Sequence, residues 1–181
     1  RRPCIKDNST DKHVAMPNNN AKDLQHLPEN VREFWEEKQR ELGEKLLKFS
    51  YAVLLDPARF PCPEKSGLCY VMERHLYFED FPKASLFFLM NVEKYKKTLI
   101  QIPLQAVVTV ELLKLPQFEE KFFGRPCSSG LAGLFQWFRP LPAYLVVSAQ
   151  REANAPTHYV FRDLDNPDAW LTLLQSARRQ P

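Results

Sequence analysis

The sequence predicts an α+β domain, mainly β, in which antiparallel strands in two groups lie between an N-terminal and a C-terminal helix. Three observations carry this prediction. Short apolar runs separated by polar tips fill Gly67–Leu113, which is typical of a meander of strands. Two further runs, 143–149 and 157–162, flank a polar turn and indicate a hairpin. Apolar stripes at three- and four-residue spacing mark a helix over 28–48 and another from about Asn166.

The size and charge of the chain limit its class. Its 181 residues fit one domain with extensions, large enough to be stable without disulfides or metals. The net charge of +3, from 25 basic and 22 acidic residues, permits contact with an anionic surface without requiring it. We expect no nucleic-acid partner, because such proteins more often carry a dense basic face. No apolar run reaches the roughly 18 residues of a membrane span.

Cysteine and histidine spacing indicates neither a metal site nor a disulfide framework. The four cysteines form no C-x-x-C pair, and the four histidines lie apart from one another. Cys62 and Cys69 flank a predicted turn and could face each other, but reduced thiols in a cytosolic protein are the favoured interpretation. We therefore expect no metal and no cofactor. The chain begins without Met or an apolar signal segment, so we expect a piece of a longer cytosolic protein.

The first part of the chain changes from polar to amphipathic. Residues 1–25 are polar and rich in Asn, Asp and Lys, which predicts a flexible arm before a domain over 26–181. Pro28 suits the first turn of the helix over 28–48, although Gly43 weakens that helix by about 1 kcal/mol relative to Ala. The apolar stripe of this helix either packs on its own domain, which we favour, or docks a partner.

The strands are predicted by their alternation and by the turn residues between them. A first strand over 49–55 ends at Asp56-Pro57 and leads through a proline-rich loop into the Gly67–Leu113 meander. Pro103 lacks an N–H group, so its end of the strand is expected at an edge or a bulge. By the two-residue period of a strand, one face can hold a set of apolar side chains: Val71, Tyr77, Ile100 and Ile102.

The C-terminal helix has clear start signals and an apolar face. Asn166 is a good N-cap, Pro167 suits the first helical position, and Asp168 complements the positive end of the helix dipole. Four residues at helical spacing are expected to share one face, namely Trp170, Leu173, Leu174 and Ala177.

The order of these elements resembles the pleckstrin-homology superfold and, within it, the GRAM branch. Gly67–Met72 followed by His75–Phe78 is similar to the GRAM pattern of a glycine, an apolar strand, a polar turn and a second apolar strand. Ile102-Pro103-Leu104 followed by Val107–Val110 is similar to another segment of that family. The resemblance covers about residues 46–179 and implies a bent antiparallel barrel of about seven strands, capped by the C-terminal helix, that binds phosphoinositides, peptides or proteins. The N-terminal helix and an aromatic insertion depart from the family pattern.

Basic side chains form the first candidate site. Lys94, Lys96 and Lys97 lie on a predicted hairpin tip, where three ammonium groups could hold a phosphorylated headgroup or an anionic membrane. Arg59 and Lys65 lie in the first hairpin loop, where lipid-binding members of the superfold carry basic residues. An ordinary solvated turn is the alternative, since lysine is commonly exposed. The denser alternation of cations found in such loops is absent, which favours a protein ligand over a lipid.

Aromatic rings in the insertion over 116–142 form the second candidate site. This stretch shows no regular pattern, and long irregular loops in compact domains are often functional. If its rings are exposed, they form the apolar patch of an interface; if they fold back, they complete the core, and the sequence leaves both alternatives open. The predicted partner-binding set is Phe122, Phe123, Arg125, Phe135, Trp137, Phe138 and Arg139.

The sequence contains no catalytic constellation. His75 and His158 are acid–base candidates by residue type alone, with no nucleophile paired by spacing. Asp163 and Asp165 lack the glycine and downstream glutamate of a calcium loop and are expected to cap the last helix. We therefore interpret the chain as a non-enzymatic binding or scaffolding module that recruits a protein partner in a larger cytosolic protein. The alternative is a domain that targets phosphoinositides or an anionic membrane.

Overall fold

The computed structural model describes residues 24, 26–58, 63–81, 97–124, 142–150 and 155–178. Three α-helices lie within these residues: α1 (Glu29–Leu42), α2 (Leu115–Phe123) and α3 (Pro167–Ala177). Seven strands lie between them: β1 (Leu46–Leu55), β2 (Glu64–Met72), β3 (His75–Asp80), β4 (Leu99–Pro103), β5 (Val107–Lys114), β6 (Ala143–Ala149) and β7 (Thr157–Arg162). A short 3-10 turn, Leu104–Ala106, joins β4 to β5.

The seven strands form one antiparallel sheet in the order β4-β3-β2-β1-β7-β6-β5. Successive strands pair as hairpin neighbours within β1–β4 and within β5–β7. The two groups are joined by β1, which pairs with β7 through Val53–Leu55. In the described part of the chain β4 and β5 are the two ends, so the sheet is unclosed. The prediction of an α+β, mainly β domain with an N-terminal and a C-terminal helix is confirmed, and this architecture is consistent with a pleckstrin-homology-like fold.

One face of the sheet, called the inner face below, is covered by α3. Trp170 and Leu174 of this helix are fully buried, and Leu173 and Ala177 pack against the same cluster, as the helical spacing predicted. On the sheet side the cluster includes Phe78 and Phe161, whose ring centroids are 6.0 Å apart. Full burial of one such side chain stabilises a fold by about 1.5–3 kcal/mol, so α3 is a principal source of stability.

The opposite face, called the outer face below, is covered by α1 and α2. Trp35 of α1 lies edge-on to Tyr70 of β2, with ring centroids 5.4 Å apart. Phe118 of α2 stacks on Tyr144 of β6 at 4.4 Å. The strands carry apolar residues on both faces for this reason; in β6, for example, every residue from Tyr144 to Ala149 is buried. The N-terminal helix therefore packs on its own domain, as favoured from the sequence.

The C-terminal hairpin and helix match their prediction. β6 and β7 span the ranges expected from the sequence. Asn166 is the N-cap of α3, and its side-chain oxygen accepts a hydrogen bond from the Ala169 N–H at 3.2 Å. Pro167 and Asp168 occupy the first turn. Short-range rules suffice here because the start signals and the apolar face agree.

The predicted helix over 28–48 is wrong in its last third. The helix ends at Leu42, and Gly43 adopts a left-handed conformation with φ 64° while its N–H donates to the Gln39 carbonyl at 2.9 Å. This is a glycine C-cap, which ends a helix without steric cost. Leu46 and Leu47 continue the apolar spacing of the helix but belong to β1, which therefore begins three residues earlier than predicted.

The expected shared face of Val71, Tyr77, Ile100 and Ile102 is wrong for Tyr77. Val71 pairs with Leu76, whereas Tyr77 pairs with Tyr70 on the outer face, where the two rings stack at 5.0 Å. The tight β2–β3 turn fixes a register that the alternation within each strand leaves undetermined. Pro103 was expected at an edge or a bulge, and it lies at an edge. Among the described strands β4 is a terminal strand of the sheet, and Pro103 is its last residue.

The sequence predicts no regular structure over 116–142, and this prediction is wrong for the first part of the stretch. Its first part is α2, which begins at Leu115 and ends at Gly124 with φ 60°, another left-handed glycine cap. Leu115, Phe118 and Phe122 have the three- and four-residue spacing of a helix face. The signal is short and lies among other aromatic residues, which concealed it. Residues 125–141 lie outside the described part of the chain.

Candidate functional site

The ends of four strands surround a cleft, called the end cleft below, at one end of the sheet. It has a volume of about 400 Å³. The last residues of β1 and the first residues of β2, β4 and β7 meet there because neighbouring strands are antiparallel. Its lining mixes charged, polar and apolar side chains, including Asp56, Lys65, Thr98, Ile100, His158 and Tyr159.

Several polar groups of the end cleft are already engaged within the protein. The Lys65 ammonium donates to the Thr98 hydroxyl at 2.8 Å. The Thr98 N–H donates to a carboxylate oxygen of Asp80 at 2.6 Å, and the Ala58 N–H donates to Asp56 at 3.1 Å. Charges of both signs therefore line the cleft, which gives it little net attraction for an anion.

Lys97, the second described member of the basic candidate site, is held by a buried carboxylate. Its ammonium lies 2.5 Å from one oxygen of Glu79, while the Lys38 ammonium of α1 lies 2.9 Å from the other. The Tyr70 hydroxyl donates to the same carboxylate. Burial alone would raise the pKa of Glu79, but hydrogen bonds from Lys97, Tyr70 and Lys38 more than offset it and lower the pKa to about 2. The positive charge of Lys97 is therefore compensated.

The structure thus places only part of the predicted lipid-binding set. Lys65 and Lys97 both lie near the end cleft, because Lys65 contacts Thr98, the neighbour of Lys97 in the chain. Arg59, Lys94 and Lys96 lie outside the described residues. The two described members of the set, Lys65 and Lys97, both contact groups within the protein.

The aromatic candidate site begins at the C-terminal end of α2. Phe122 and Phe123 are half-buried, with ring centroids 5.1 and 5.7 Å from that of the buried Phe118. Phe122 also lies edge-on to His158 at 5.6 Å. These two rings extend the outer-face core and remain partly open to solvent. The other predicted members lie outside the described residues: Arg125, Phe135, Trp137, Phe138 and Arg139.

Exposed apolar side chains on the outer face were not predicted from the sequence. Tyr51 and Leu99 lie at the two ends of a cross-strand row from β1 to β4, with Leu68 and the buried Glu79 between them. Tyr51 is 46% exposed, Leu99 58% and the nearby Phe81 48%. The members are far apart in the sequence and become neighbours only through the pairing register, so no local pattern could reveal them.

The two histidine candidates serve packing and strand pairing. The ring of His75 lies 2.6 Å from the buried carboxylate of Glu44, which also accepts from the Arg74 N–H at 2.9 Å. This contact joins the α1–β1 turn to the β2–β3 turn. His158 lies 2.8 Å from the Ser148 hydroxyl on the neighbouring strand, but Ser148 is buried and inaccessible to a substrate.

Asp163 and Asp165, which precede α3, both contact other groups of the protein. Asp163, with φ 63°, contacts the Arg162 guanidinium at 3.2 Å. The Asp165 N–H donates to the Ser50 hydroxyl at 2.9 Å, and the helix cap itself is Asn166 rather than either aspartate. Among the described residues no group of three or more His, Cys, Asp or Glu side chains could hold a metal ion.

Lys48 of β1 is a charged side chain inside the inner-face core. It is 1% exposed, and its ammonium lies 5.8 Å from the Trp170 ring centroid without a hydrogen-bond partner among the described residues. Burial lowers its pKa, and the nearby Asp165 carboxylate opposes this only in part. An unpaired buried ammonium is costly, so Lys48 weakens the fold.

Replacing Lys48 with methionine is expected to stabilise the protein by about 1 kcal/mol or more at neutral pH, because the desolvation cost of the buried ammonium exceeds its attraction to Asp165 and an apolar side chain of similar length removes that cost. The folded-state pKa is lowered, so the stability of the wild-type protein rises with pH towards the unfolded-state value, and the variant loses this slope. Urea unfolding at neutral and alkaline pH measures both effects. The exposed Lys45→Met is the control, expected to change stability by less than about 0.5 kcal/mol. A destabilised Lys48→Met variant would contradict the interpretation.

Comparisons with known proteins identify no family. No family model matches the chain, and no curated protein does. Among solved structures, the C-terminal domain of an unknown protein from Leishmania infantum is similar at 12% identity and a TM-score of 0.46, covering 83% of this chain and 100% of that one. The PDZ-RhoGEF DH/PH domains, solved in complex with activated RhoA, are similar at 11% identity and a TM-score of 0.43, covering 88% of this chain. This chain spans 36% of that one.

The class of protein is therefore defined by the fold alone. Seven antiparallel strands with a C-terminal helix on the inner face are consistent with a pleckstrin-homology-like domain. The narrower GRAM resemblance stays a prediction. No helix among the described residues is long and apolar enough to cross a membrane.

Proposed function

We propose that the chain is a non-catalytic binding module that recruits a protein partner within a larger cytosolic protein. The observation that carries this proposal is the position of α2 on the outer face. Its end leaves Phe122 and Phe123 partly exposed, directly before the segment that contains Phe135, Trp137 and Phe138. Partly exposed aromatic rings joined to further aromatic sequence are the composition of protein interfaces.

The electrostatics favour a protein over an anionic lipid. Lys97 is compensated by Glu79, and Lys65 lies in a cleft that also contains Asp56. Recognition of a phosphorylated headgroup needs several uncompensated cations directed at one point. Large exposed apolar side chains at Tyr51, Phe81 and Leu99 instead give the outer face further surface suited to a protein.

The double substitution Trp137→Ala with Phe138→Ala is expected to weaken capture of a protein partner at least about tenfold, because large aromatic residues supply much of the energy at such interfaces. Bait purification with quantitative mass spectrometry measures capture, and thermal unfolding measures stability. The melting temperature is expected to stay nearly unchanged. Phe34→Ala is the matched control, since this ring is exposed on α1 and distant in sequence from the proposed site. A large fall in stability, or unchanged capture, would contradict the proposal.

Anionic membrane binding is the second candidate function. It is supported by Lys65 at the end cleft, between two connections that carry Arg59 and the Lys94–Lys96 pair in the sequence. Sedimentation with phosphatidylcholine vesicles, with and without phosphoinositide, separates the two functions. Under the protein-recruitment proposal the phosphoinositide adds no binding. Binding that is lost when Lys94, Lys96 and Lys97 are changed together to Glu would favour the membrane function instead.

A further inference from the structure

Three buried polar atoms without a hydrogen-bond partner lie where β1 meets the start of α3. They are Nζ of Lys48 in β1, Oδ2 of Asp165 in the loop before α3, and Nε1 of Trp170 in the helix. Within the described part of the chain, no other fully buried side-chain nitrogen or oxygen lacks a partner. Buried polar groups are nearly always hydrogen-bonded, so three such atoms at one contact need a common explanation.

The three side chains belong to one neighbourhood. The Lys48 ammonium lies 5.8 Å from the centroid of the Trp170 ring. The Asp165 N–H donates to Ser50 Oγ at 2.9 Å, and Ser50 follows Lys48 by two residues, on the same face of β1. Burial lowers the pKa of Lys48, and the Asp165 carboxylate opposes this effect, although neither side chain bonds directly to the other. Lys48 and Asp165 are therefore near enough to interact but are not in direct contact.

The donors and the acceptor of this group define what can bind between them. The ammonium and the indole N–H are both donors, so they cannot satisfy each other, and the carboxylate oxygen is bonded to neither. A molecule that satisfies all three must accept from Lys48 and Trp170 and donate to Asp165. Water can do both, and buried water typically makes about three hydrogen bonds to otherwise unsatisfied groups. An anion cannot donate, and the carboxylate would repel it.

We propose that an internal water molecule binds between β1 and the start of α3. It accepts hydrogen bonds from the Lys48 ammonium and the Trp170 indole and donates one to the Asp165 carboxylate, so the two charged side chains form a water-bridged pair. The bridge ties the loop before α3 to β1, beside the direct bond from the Asp165 N–H to Ser50. One water replaces only part of the hydration of an exposed ammonium, so the cost of burying Lys48 is reduced but not removed.

Nuclear magnetic resonance of the whole chain tests this site through cross-relaxation between water and the Trp170 indole N–H. The indole resonance is identified by its absence from the Trp170→Phe variant. In the wild-type protein we expect a cross-peak with the sign of long-lived bound water. Lys48→Met removes one of the donors that hold the water, so the cross-peak is expected to disappear. Lys45→Met is the matched control, because it makes the same substitution at an exposed residue, and its cross-peak is expected to persist.

A crystal structure that resolves internal water provides the second measurement. We expect one ordered water within about 3.2 Å of all three atoms, Lys48 Nζ, Asp165 Oδ2 and Trp170 Nε1. Direct contact between Lys48 and Asp165 with no water between them would overturn the proposal. So would a Trp170 cross-peak that is equally strong in Lys48→Met and Lys45→Met, since the water detected would then not depend on the Lys48 ammonium.

Discussion

Replacing Gly67 with alanine is expected to destabilise the protein by about 3 kcal/mol or more, a large fraction of the stability of a typical domain. Gly67 lies in β2 between Ala52 of β1 and Asp80 of β3. A Cβ atom at this position would overlap the carbonyl oxygen of Glu79 and lie 2.8 Å from the Cα atom of Asp80. Because both are backbone atoms of a paired strand, no side-chain rotation can relieve the overlap.

Gly43→Ala is the matched control for this prediction. Gly43 adopts a left-handed conformation with φ 64°, but an added Cβ would meet nothing within 4 Å. Its cost is therefore confined to backbone strain, about 1 kcal/mol. Urea unfolding followed by fluorescence of the buried Trp35 and Trp170 measures both variants. Equal losses for Gly67→Ala and Gly43→Ala would show that the β2–β3 contact is not the reason for glycine at position 67.

Sequence reasoning located the elements whose signals are local. The C-terminal hairpin, the Asn166 cap and the apolar face of α3 all depend on residues a few positions apart. The sequence predicts that a strand begins at Gly67, whereas β2 begins at Glu64 and Gly67 lies inside it. The close approach that requires glycine depends on Glu79 and Asp80, which only the pairing with β3 brings near, so local rules could not supply its physical reason.

The errors occurred where a local signal has two interpretations. Leu46 and Leu47 fit the spacing of the preceding helix and also fit a strand, and the glycine cap at Gly43 decides between them. Tyr77 fits either face of β3, and the register of the hairpin decides. In both cases tertiary contacts select one of two locally acceptable structures.

The candidate sites were the least predictable feature, because residues distant in the sequence decide whether a charged side chain is compensated or free to bind a ligand. Lys97 looked like a free cation of a hairpin tip, yet its partner Glu79 lies on the preceding strand. Lys38, on the N-terminal helix and far from Glu79 in the sequence, reaches the same carboxylate. Whether a cation is available to a ligand depends on such contacts, which spacing along the chain does not show.

Replacing Glu79 with glutamine is expected to destabilise the protein by about 3 kcal/mol at neutral pH. The carboxylate is buried and joins three elements, since it contacts Lys38 of α1, Tyr70 of β2 and Lys97 before β4. A neutral amide leaves the largely buried Lys38 ammonium with only its longer contact to the exposed Glu41 carboxylate, at 3.7 Å, which costs more than an exposed ion pair gains. Glu111→Gln is the matched control: its pair with Lys121 is also short, at 2.6 Å, but partly exposed, so its loss is expected below about 1 kcal/mol.

The pH dependence of unfolding provides a second measurement on Glu79. Because its folded-state pKa is lowered from 4.5 to about 2, the ionised carboxylate stabilises the fold above pH 4.5, and this contribution is lost as the pH falls towards 2. The shift corresponds to about 3 kcal/mol, at 1.36 kcal/mol for each pH unit. Urea unfolding at a series of pH values should therefore show wild-type stability converging with that of Glu79→Gln in acid. Parallel curves for the two proteins across this interval would mean that Glu79 does not hold α1 and Lys97 through its charge.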